Sequence, residues 1–205
     1  MEIEFKYKLP SVAAGEQILE HMGLKPRLIH MDARYYDTPA RTLRAQDITL
    51  RLREERMEGG PSPMICCCKA PGKRTRNPAL KKRVELECEA RDILSGIEGI
   101  IAQGCEQADA LRAAIPELTV VAGFRYVRRE ARFTVGAARC SICVDAGGFL
   151  RPDGSEEPFC ELELELIEGK LGPMEKLMKT LVKQFDLEPQ SLSKYARALA
   201  AGKAQ

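Results

Sequence analysis

Four short stretches of this chain place charged residues at every second position, where they could do chemistry together. In Glu2-Ile3-Glu4-Phe5-Lys6-Tyr7-Lys8, the residues Glu2, Glu4, Lys6 and Lys8 share one face of an extended strand, and Ile3, Phe5 and Tyr7 share the other with Leu9. The alternation returns in Arg83-Val84-Glu85-Leu86-Glu87-Cys88-Glu89 and in Glu161-Leu162-Glu163-Leu164-Glu165-Leu166, and with basic residues in Ile48-Thr49-Leu50-Arg51-Leu52-Arg53. A single strand of this kind would turn its charge to water. Four of them, some acidic and some basic, can instead line one shared polar space. Glu161, Glu163 and Glu165 at successive second positions repel one another, so a cation bound among them makes chemical sense. Carboxylates and cations in one lumen suit metal ions together with an anionic ligand.

Composition narrows the alternatives. The chain has 205 residues, enough for one domain with a real core, and 30% of them are charged, yet the net charge is only +2. Such balance, with 5% aromatic residues and no Trp, argues against a nucleic-acid binder. No apolar run approaches the roughly 18 residues of a membrane span, and the charged N-terminus is unlike a signal peptide, so a soluble cytoplasmic protein without a membrane partner is expected. The eight cysteines read as reduced. Cys66, Cys67 and Cys68 are consecutive, so Cys67 faces away from its neighbours; Cys140 and Cys143 have zinc spacing but lie in a strand-like run without a second pair. His21 and His30 have no partner at metal spacing and read as structural or surface residues.

The elements that must position the charged strands follow in order. Ser11 can cap a helix that ends at Gly23. A strand over 27–36 leads into the turn Asp37-Thr38-Pro39. The strand over 47–56 forms a hairpin with 64–69, which brings Lys69 near the arginines. The basic, turn-rich segment 70–78 reads as a solvated loop, or as an attractor of anions toward a tunnel mouth. Two short helices separated near Gly104 fill 90–116. Residues 118–135 form a strand or bent hairpin in which Arg128 and Arg132 share one face and Arg125 and Arg129 the other, unless a bulge shifts the register. In 140–150, Ser141, Cys143 and Asp145 share a face, and Gly147-Gly148 ends or bends the strand. An amphipathic helix covers 170–185. Ser191 or Ser193 opens a last short helix, where Lys194 can point back to the body. There is no internal repeat, and residues 1–205 read as a single domain.

The ordered set Glu2-Ile3-Glu4-Phe5-Lys6, Tyr35-Tyr36-Asp37-Thr38-Pro39, Leu50-Arg51-Leu52-Arg53, Cys68-Lys69-Ala70, Arg83-Val84-Glu85, Val144-Asp145, Glu161-Leu162-Glu163-Leu164-Glu165 and Ser191-Leu192-Ser193-Lys194 resembles the CYTH superfamily, the triphosphate tunnel metalloenzymes. Within it, Cys160 to Leu166 and Ser191 to Lys194 are most similar to the bacterial inorganic triphosphatases. Some of that branch carry a C-terminal helical CHAD domain; this chain stops before one, as a stand-alone form or a piece of a longer protein. The resemblance implies an α+β fold, an eight-stranded antiparallel β-barrel with charge inside, and helices at 11–23 and 170–185 covering Ile3, Phe5, Leu50, Leu52, Val84, Leu86, Leu162 and Leu164. It implies phosphate binding by Lys6, Lys8, Arg51, Arg53, Lys69, Arg83, Arg128 and Lys194, and Mg²⁺ or Mn²⁺ held by Glu2, Glu4, Glu85, Glu161 and Glu163, with Asp145, Glu87 and Glu165 as second choices. Glu2, Glu4, Lys6 and Glu163 would carry catalysis, the hydrolysis of inorganic triphosphate. A class IV adenylate cyclase, a thiamine-triphosphatase and a non-catalytic triphosphate-binding module are the alternatives, and a homodimer is left open.

Overall fold

The structure is a computed structural model that describes residues 1–71 and 75–202. Eight antiparallel strands close into a barrel: β1 (Glu2–Lys8), β2 (Arg27–Asp37), β3 (Thr49–Arg56), β4 (Met64–Ala70), β5 (Leu80–Glu89), β6 (Thr119–Val135), β7 (Ala138–Leu150) and β8 (Glu156–Gly169). Their order around the wall is β1-β5-β4-β3-β2-β6-β7-β8, and β8 pairs back onto β1. Five helices complete the chain: α1 (Val12–His21), α2 (Ile93–Ala102), α3 (Ala108–Ala114), α4 (Leu171–Phe185) and α5 (Lys194–Ala201). Among the described residues no helix is long and apolar enough to cross a membrane.

The two-residue period sets what faces inward. Register places Lys6 opposite Glu163, Lys69 opposite Glu85, and Arg128 opposite Asp145, so charges of opposite sign meet across neighbouring strands. The other face of these strands is apolar. Phe5, Leu162 and Leu164 pack against Ile18 and Leu19 of α1 and Met174, Met178 and Leu181 of α4. Ser11 caps α1 by accepting from the Ala14 backbone N–H.

The remaining outer wall has a different cover from the expected one. Leu50, Leu52 and Leu86 pack under α2 and α3, against Ile97, Ile100 and Leu111, and Val84 stays 44% exposed. The connection between the halves thus serves as a third apolar lid, because the first and fourth helices cover the side of β1, β6, β7 and β8. Residues 119–135 form one continuous strand rather than a hairpin, with a register shift opposite Tyr35/Tyr36. Strand β7 does not end at Gly147-Gly148 but continues to Leu150. A Cβ at Gly147 would stand 2.0 Å from the Arg125 carbonyl oxygen, so the glycine permits close approach of β6. Part of the basic segment 70–78, with Lys73 and Arg74, lies outside the described residues. The cysteines are free; Cys140 packs in the outer core and Cys143 faces inward, so the pair cannot share one metal.

The lumen itself is divided. Around β2, β6, β7 and β8 its wall is aromatic: Phe124, Phe149 and Phe159 lie with Tyr35 and Tyr126 under α5. Phe149 and Phe159 stack at 4.5 Å, and Phe124 meets them edge-on at 5.7 and 6.0 Å. Each such pair contributes about 0.5–1.5 kcal/mol beyond simple burial.

Close helix packing gives a test. A Cβ on Gly96 of α2 would stand 2.4 Å from the Cys66 Cβ, whereas one on Gly172 in the first turn of α4 meets nothing within 4 Å. Gly96→Ala should therefore lower unfolding stability by about 1–3 kcal/mol through overpacking. Gly172→Ala should be neutral or stabilising by up to about 1 kcal/mol through helix propensity. Urea denaturation of both variants checks the contrast.

Candidate functional site

The charged half of the lumen encloses a cavity of about 350 Å³. Among the described residues, eight basic side chains line it: Lys6, Arg51, Arg53, Lys69, Lys81, Arg83, Arg128 and Lys194. Six carboxylates face them: Glu2, Glu4, Glu85, Glu87, Glu163 and Glu165. A second cavity of about 730 Å³ shares Glu2, Arg53, Glu85, Glu87, Arg128 and Glu165 with the first, so the two are ends of one tunnel.

Helix α5 closes the inner end. Ser193 caps it through the Ala196 N–H, which turns Lys194 toward the lumen. Tyr195 lies 4.7 Å from the Tyr35 ring, and its hydroxyl donates to Asp37 at 3.4 Å. Asp37 also accepts from the backbone N–H groups of Thr38, Leu43 and Arg44, so the turn after β2 is the anchor for the helix.

Beneath α5 the charges are paired closely. Arg128 binds Asp145 through two contacts of 2.8 and 2.7 Å and Glu163 at 2.7 Å. Lys194 reaches Asp145 and Glu163, both at 2.7 Å, and also Glu161. Lys6 lies 2.9 Å from Glu163 and 3.3 Å from Glu4. Burial alone would favour the neutral acid of Glu163, but Lys194, Lys6 and Arg128 hold its carboxyl well below the usual range. Toward the other end, Lys69 joins Glu2 at 2.6 Å and Glu85 at 3.1 Å, and Arg51 and Arg53 approach Glu87 at 3.3 and 3.4 Å.

Two groups in the tunnel lack compensation. Lys81 and Arg83 form no ion pair among the described residues, and burial with the nearby Lys6 and Arg83 pushes the Lys81 ammonium below its ordinary value. On the acidic side, burial raises Glu4, helped by Glu163 and Glu2 against Lys6. Burial and the neighbouring Glu2, Glu85 and Glu4 push Glu165 up to about 7. One buried oxygen of Glu2 has no hydrogen-bond partner. An all-oxygen set of crowded carboxylates with an orphaned acceptor fits a hard divalent cation.

The sequence-predicted residues do not all meet here. Lys8, although on the same strand face as Lys6, lies outside the tunnel: its side chain is 55% exposed and pairs with Glu188 at 3.2 Å. Lys8 still pairs with Glu161 in the wall, but it is the last residue of β1 and its side chain reaches solvent. Glu161 and Asp145 are fully buried but line neither cavity. Their oxygens lie within 4.8 Å of those of Glu163, close enough to share an ion, yet Lys194 and Arg128 already occupy that space. Cys67, Glu85 and Glu87 are similarly close, but Cys67 donates to Glu85 at 2.9 Å and Arg51 binds Glu87. Arg128 faces the lumen, whereas Arg125 pairs with Asp32 and Arg129 with Glu16 on the outside. Lys81 was legible one step back along the Arg83-Glu85 face. Arg197 of α5, which pairs with Glu161, had no signal at all, since a charged helix residue reads as solvated.

The CYTH domain family matches residues 1–199. The chain belongs to the CYTH family. Solved structures of similar fold include HpAC1 from Hippeastrum, described as an adenylyl cyclase candidate with a dominant triphosphatase activity. It is 20% identical with a TM-score of 0.72, over 100% of this chain and 98% of that one. PH1819 from Pyrococcus horikoshii is 19% identical with a TM-score of 0.64, over 98% of this chain and 99% of that one. A candidate adenylate cyclase from Bacillus halodurans is 18% identical with a TM-score of 0.63, over 96% of both chains. CYTH proteins are metal-dependent, which agrees with the crowded carboxylates of this tunnel.

The acidic cluster has a pH signature. The unfolded chain releases the Glu165 proton near the ordinary 4.5 and the folded chain near 7, so between these values the folded state holds more protons and loses stability as pH rises. The loss should be on the order of 3 kcal/mol in chelator-treated protein. Urea denaturation across this range should show the slope in the wild type and a flatter profile in Glu165→Gln. Mg²⁺ should remove it by supplying the missing positive charge.

Proposed function

We propose that this protein hydrolyses inorganic triphosphate to pyrophosphate and phosphate inside the tunnel, with Mg²⁺ or Mn²⁺, and that it is nearest to the bacterial inorganic triphosphatases. The carrying observation is the lining of the cavity: eight basic side chains face it, and two of them, Lys81 and Arg83, have no ion pair among the described residues. A triphosphate of about four negative charges would supply the missing partner, with a bound divalent cation offsetting part of its charge. A cavity enclosed by the barrel wall suits a small anion better than a nucleic acid or a membrane surface. The reading is of a cytoplasmic enzyme acting on a small molecule.

Each group has a physical task. Arg51 and Arg53 from β3 and Lys81 and Arg83 from β5, on either side of β4, face the cavity and bind phosphate oxygens, Lys81 and Arg83 gaining the partner they lack. Lys6, Arg128 and Lys194 lie deeper and stabilise the charge that develops on the departing pyrophosphate. Lys69 sits between Glu2 and Glu85, where it helps hold the Glu85 carboxyl below its ordinary value against burial. Glu2, Glu4 and Glu163, with Glu85 beside them, would hold the metal, leaving Asp145 and Glu161 as counter-ions of Lys194 and Arg128. The bound cation would offset phosphate charge and lower the pKa of a water nucleophile. No cysteine serves as a nucleophile: burial pushes the Cys67 thiol far up and Cys143 up to about 12.

A second reading rests on Tyr35 and Tyr126, which border the same cavity and offer a flat aromatic wall to a base or thiazole ring. It would make the protein an adenylate cyclase or thiamine-triphosphatase. Tripolyphosphate, ATP and thiamine triphosphate, each with Mg²⁺ or Mn²⁺, distinguish the readings by their products. Phosphate from tripolyphosphate is expected at the highest kcat/KM; cyclic AMP with pyrophosphate from ATP would overturn the proposal, and binding without product would make the domain a binding module. Glu4→Gln or Glu163→Gln should lower turnover by at least about 100-fold in protein that still folds, as checked by circular dichroism. Lys8→Ala should stay within about twofold of wild type, since its side chain is in solvent.

A further inference from the structure

Helix α5 carries two cations three residues apart, Lys194 and Arg197, on one face. Only Lys194 lines the tunnel cavity. Arg197 turns the other way, its guanidinium 5.1 Å from the centre of the Phe149 ring and 5.5 Å from that of Phe159, and pairs with Glu161. Glu161 has no solvent exposure and is held between these two cations alone: one oxygen meets Arg197 and the other meets Lys194. Lys194 is meanwhile shared with Asp145 and Glu163 at 2.7 Å each.

We infer that Arg197 is a positioning residue that neutralises Glu161 and thereby leaves Lys194 free to face the tunnel. The chamber under α5 holds four carboxylates, Glu4, Asp145, Glu161 and Glu163, and four cations, Lys6, Arg128, Lys194 and Arg197. Removing one cation from a closed set in a low-dielectric interior leaves one carboxylate uncompensated. That carboxylate is Glu161, and Lys194 is its remaining partner. The ammonium is then drawn behind the wall and away from the cavity. Arg197 touches no substrate; it acts by satisfying a competitor for the residue that does. The stacked rings of Phe149 and Phe159 lie together beside the guanidinium, a contact that suits Arg better than Lys at this place.

The effect on turnover rests on the triphosphatase reading, whereas the effect on Lys194 does not. Arg197→Met should raise KM for tripolyphosphate about tenfold or more and lower kcat. Adding Glu161→Gln to Arg197→Met should bring KM back to within about threefold of wild type, because the competitor is gone; a packing role alone would leave the double variant as impaired as the single one. Arg197→Lys, which keeps the charge and loses the stacking, should keep KM within about threefold while lowering the melting temperature. It carries the test if Arg197→Met does not fold. An unchanged KM in folded Arg197→Met, no recovery in the double variant, or a tenfold rise in KM in folded Arg197→Lys each overturns the inference. If wild-type protein turns over no triphosphate, the proposed function falls. A crystal structure of Arg197→Met, or of Arg197→Lys should the former not fold, then decides the inference. In Arg197→Met the Lys194 ammonium should lie on Glu161 and have left Glu163 and Asp145, and in Arg197→Lys it should keep all three contacts; the opposite placement overturns it.

Discussion

The fold depends on compensating charge inside a closed wall. Taking a carboxylate or ammonium out of water costs several kcal/mol, and the cost is returned only if each meets a partner of opposite sign in good geometry. The barrel achieves this by register: Lys6 beside Glu163, Lys69 beside Glu85 and Arg128 beside Asp145 are neighbours because antiparallel pairing put them there. Under α5 the compensation is complete. Toward Lys81, Arg83 and Glu165 it is not, and the shifted titrations of Lys81 and Glu165 record the imbalance. The tunnel therefore has a sealed, self-neutral part that gives rigidity and an open part that keeps charges without partners among the described residues.

Everything outside the lumen serves to keep that arrangement closed. Three apolar lids, from α1, α4 and the α2–α3 connection, cover the outer faces of the same strands that carry charge inward. Inside, the aromatic wall under α5 fills the space that charges do not need, and Asp37 and Tyr35 fasten the helix over it. The motif Tyr35-Tyr36-Asp37-Thr38-Pro39 is thus an anchor for a distant helix more than a turn.

Much of this was legible because charge alternates in β1, β3, β5 and β8, where both faces announce themselves. Strands β2 and β6 were harder to read. Their inward residues include Ile29, Met31, Ala33, Tyr35, Phe124 and Tyr126, so apolar groups stand where the rule for a polar lumen expects charge. Lys8 was misplaced because periodicity says which face a residue takes and not whether it stands in the lumen or at the end of its strand. Glu161 and Asp145 share the face of Glu163 but sit deeper, a distinction set by the tilt of strands and by α5. Arg197 belongs to a helix whose polar side turns inward, against the usual meaning of amphipathicity.

The seam between β1 and β8 joins residues 4–8 to residues 161–165, so the barrel closes by pairing segments at opposite ends of the domain. Glu4, Lys6 and Glu163 meet only at this seam. Such long-range pairing is slow to form, since the entropy of a very long loop must be lost before any contact offsets it. The contact of Lys6 with Glu163 therefore forms only when the barrel closes. A nascent chain that has made seven strands holds a sheet with unmatched glutamates and two open edges, and both the edges and the unpaired charge disappear in the same closing event.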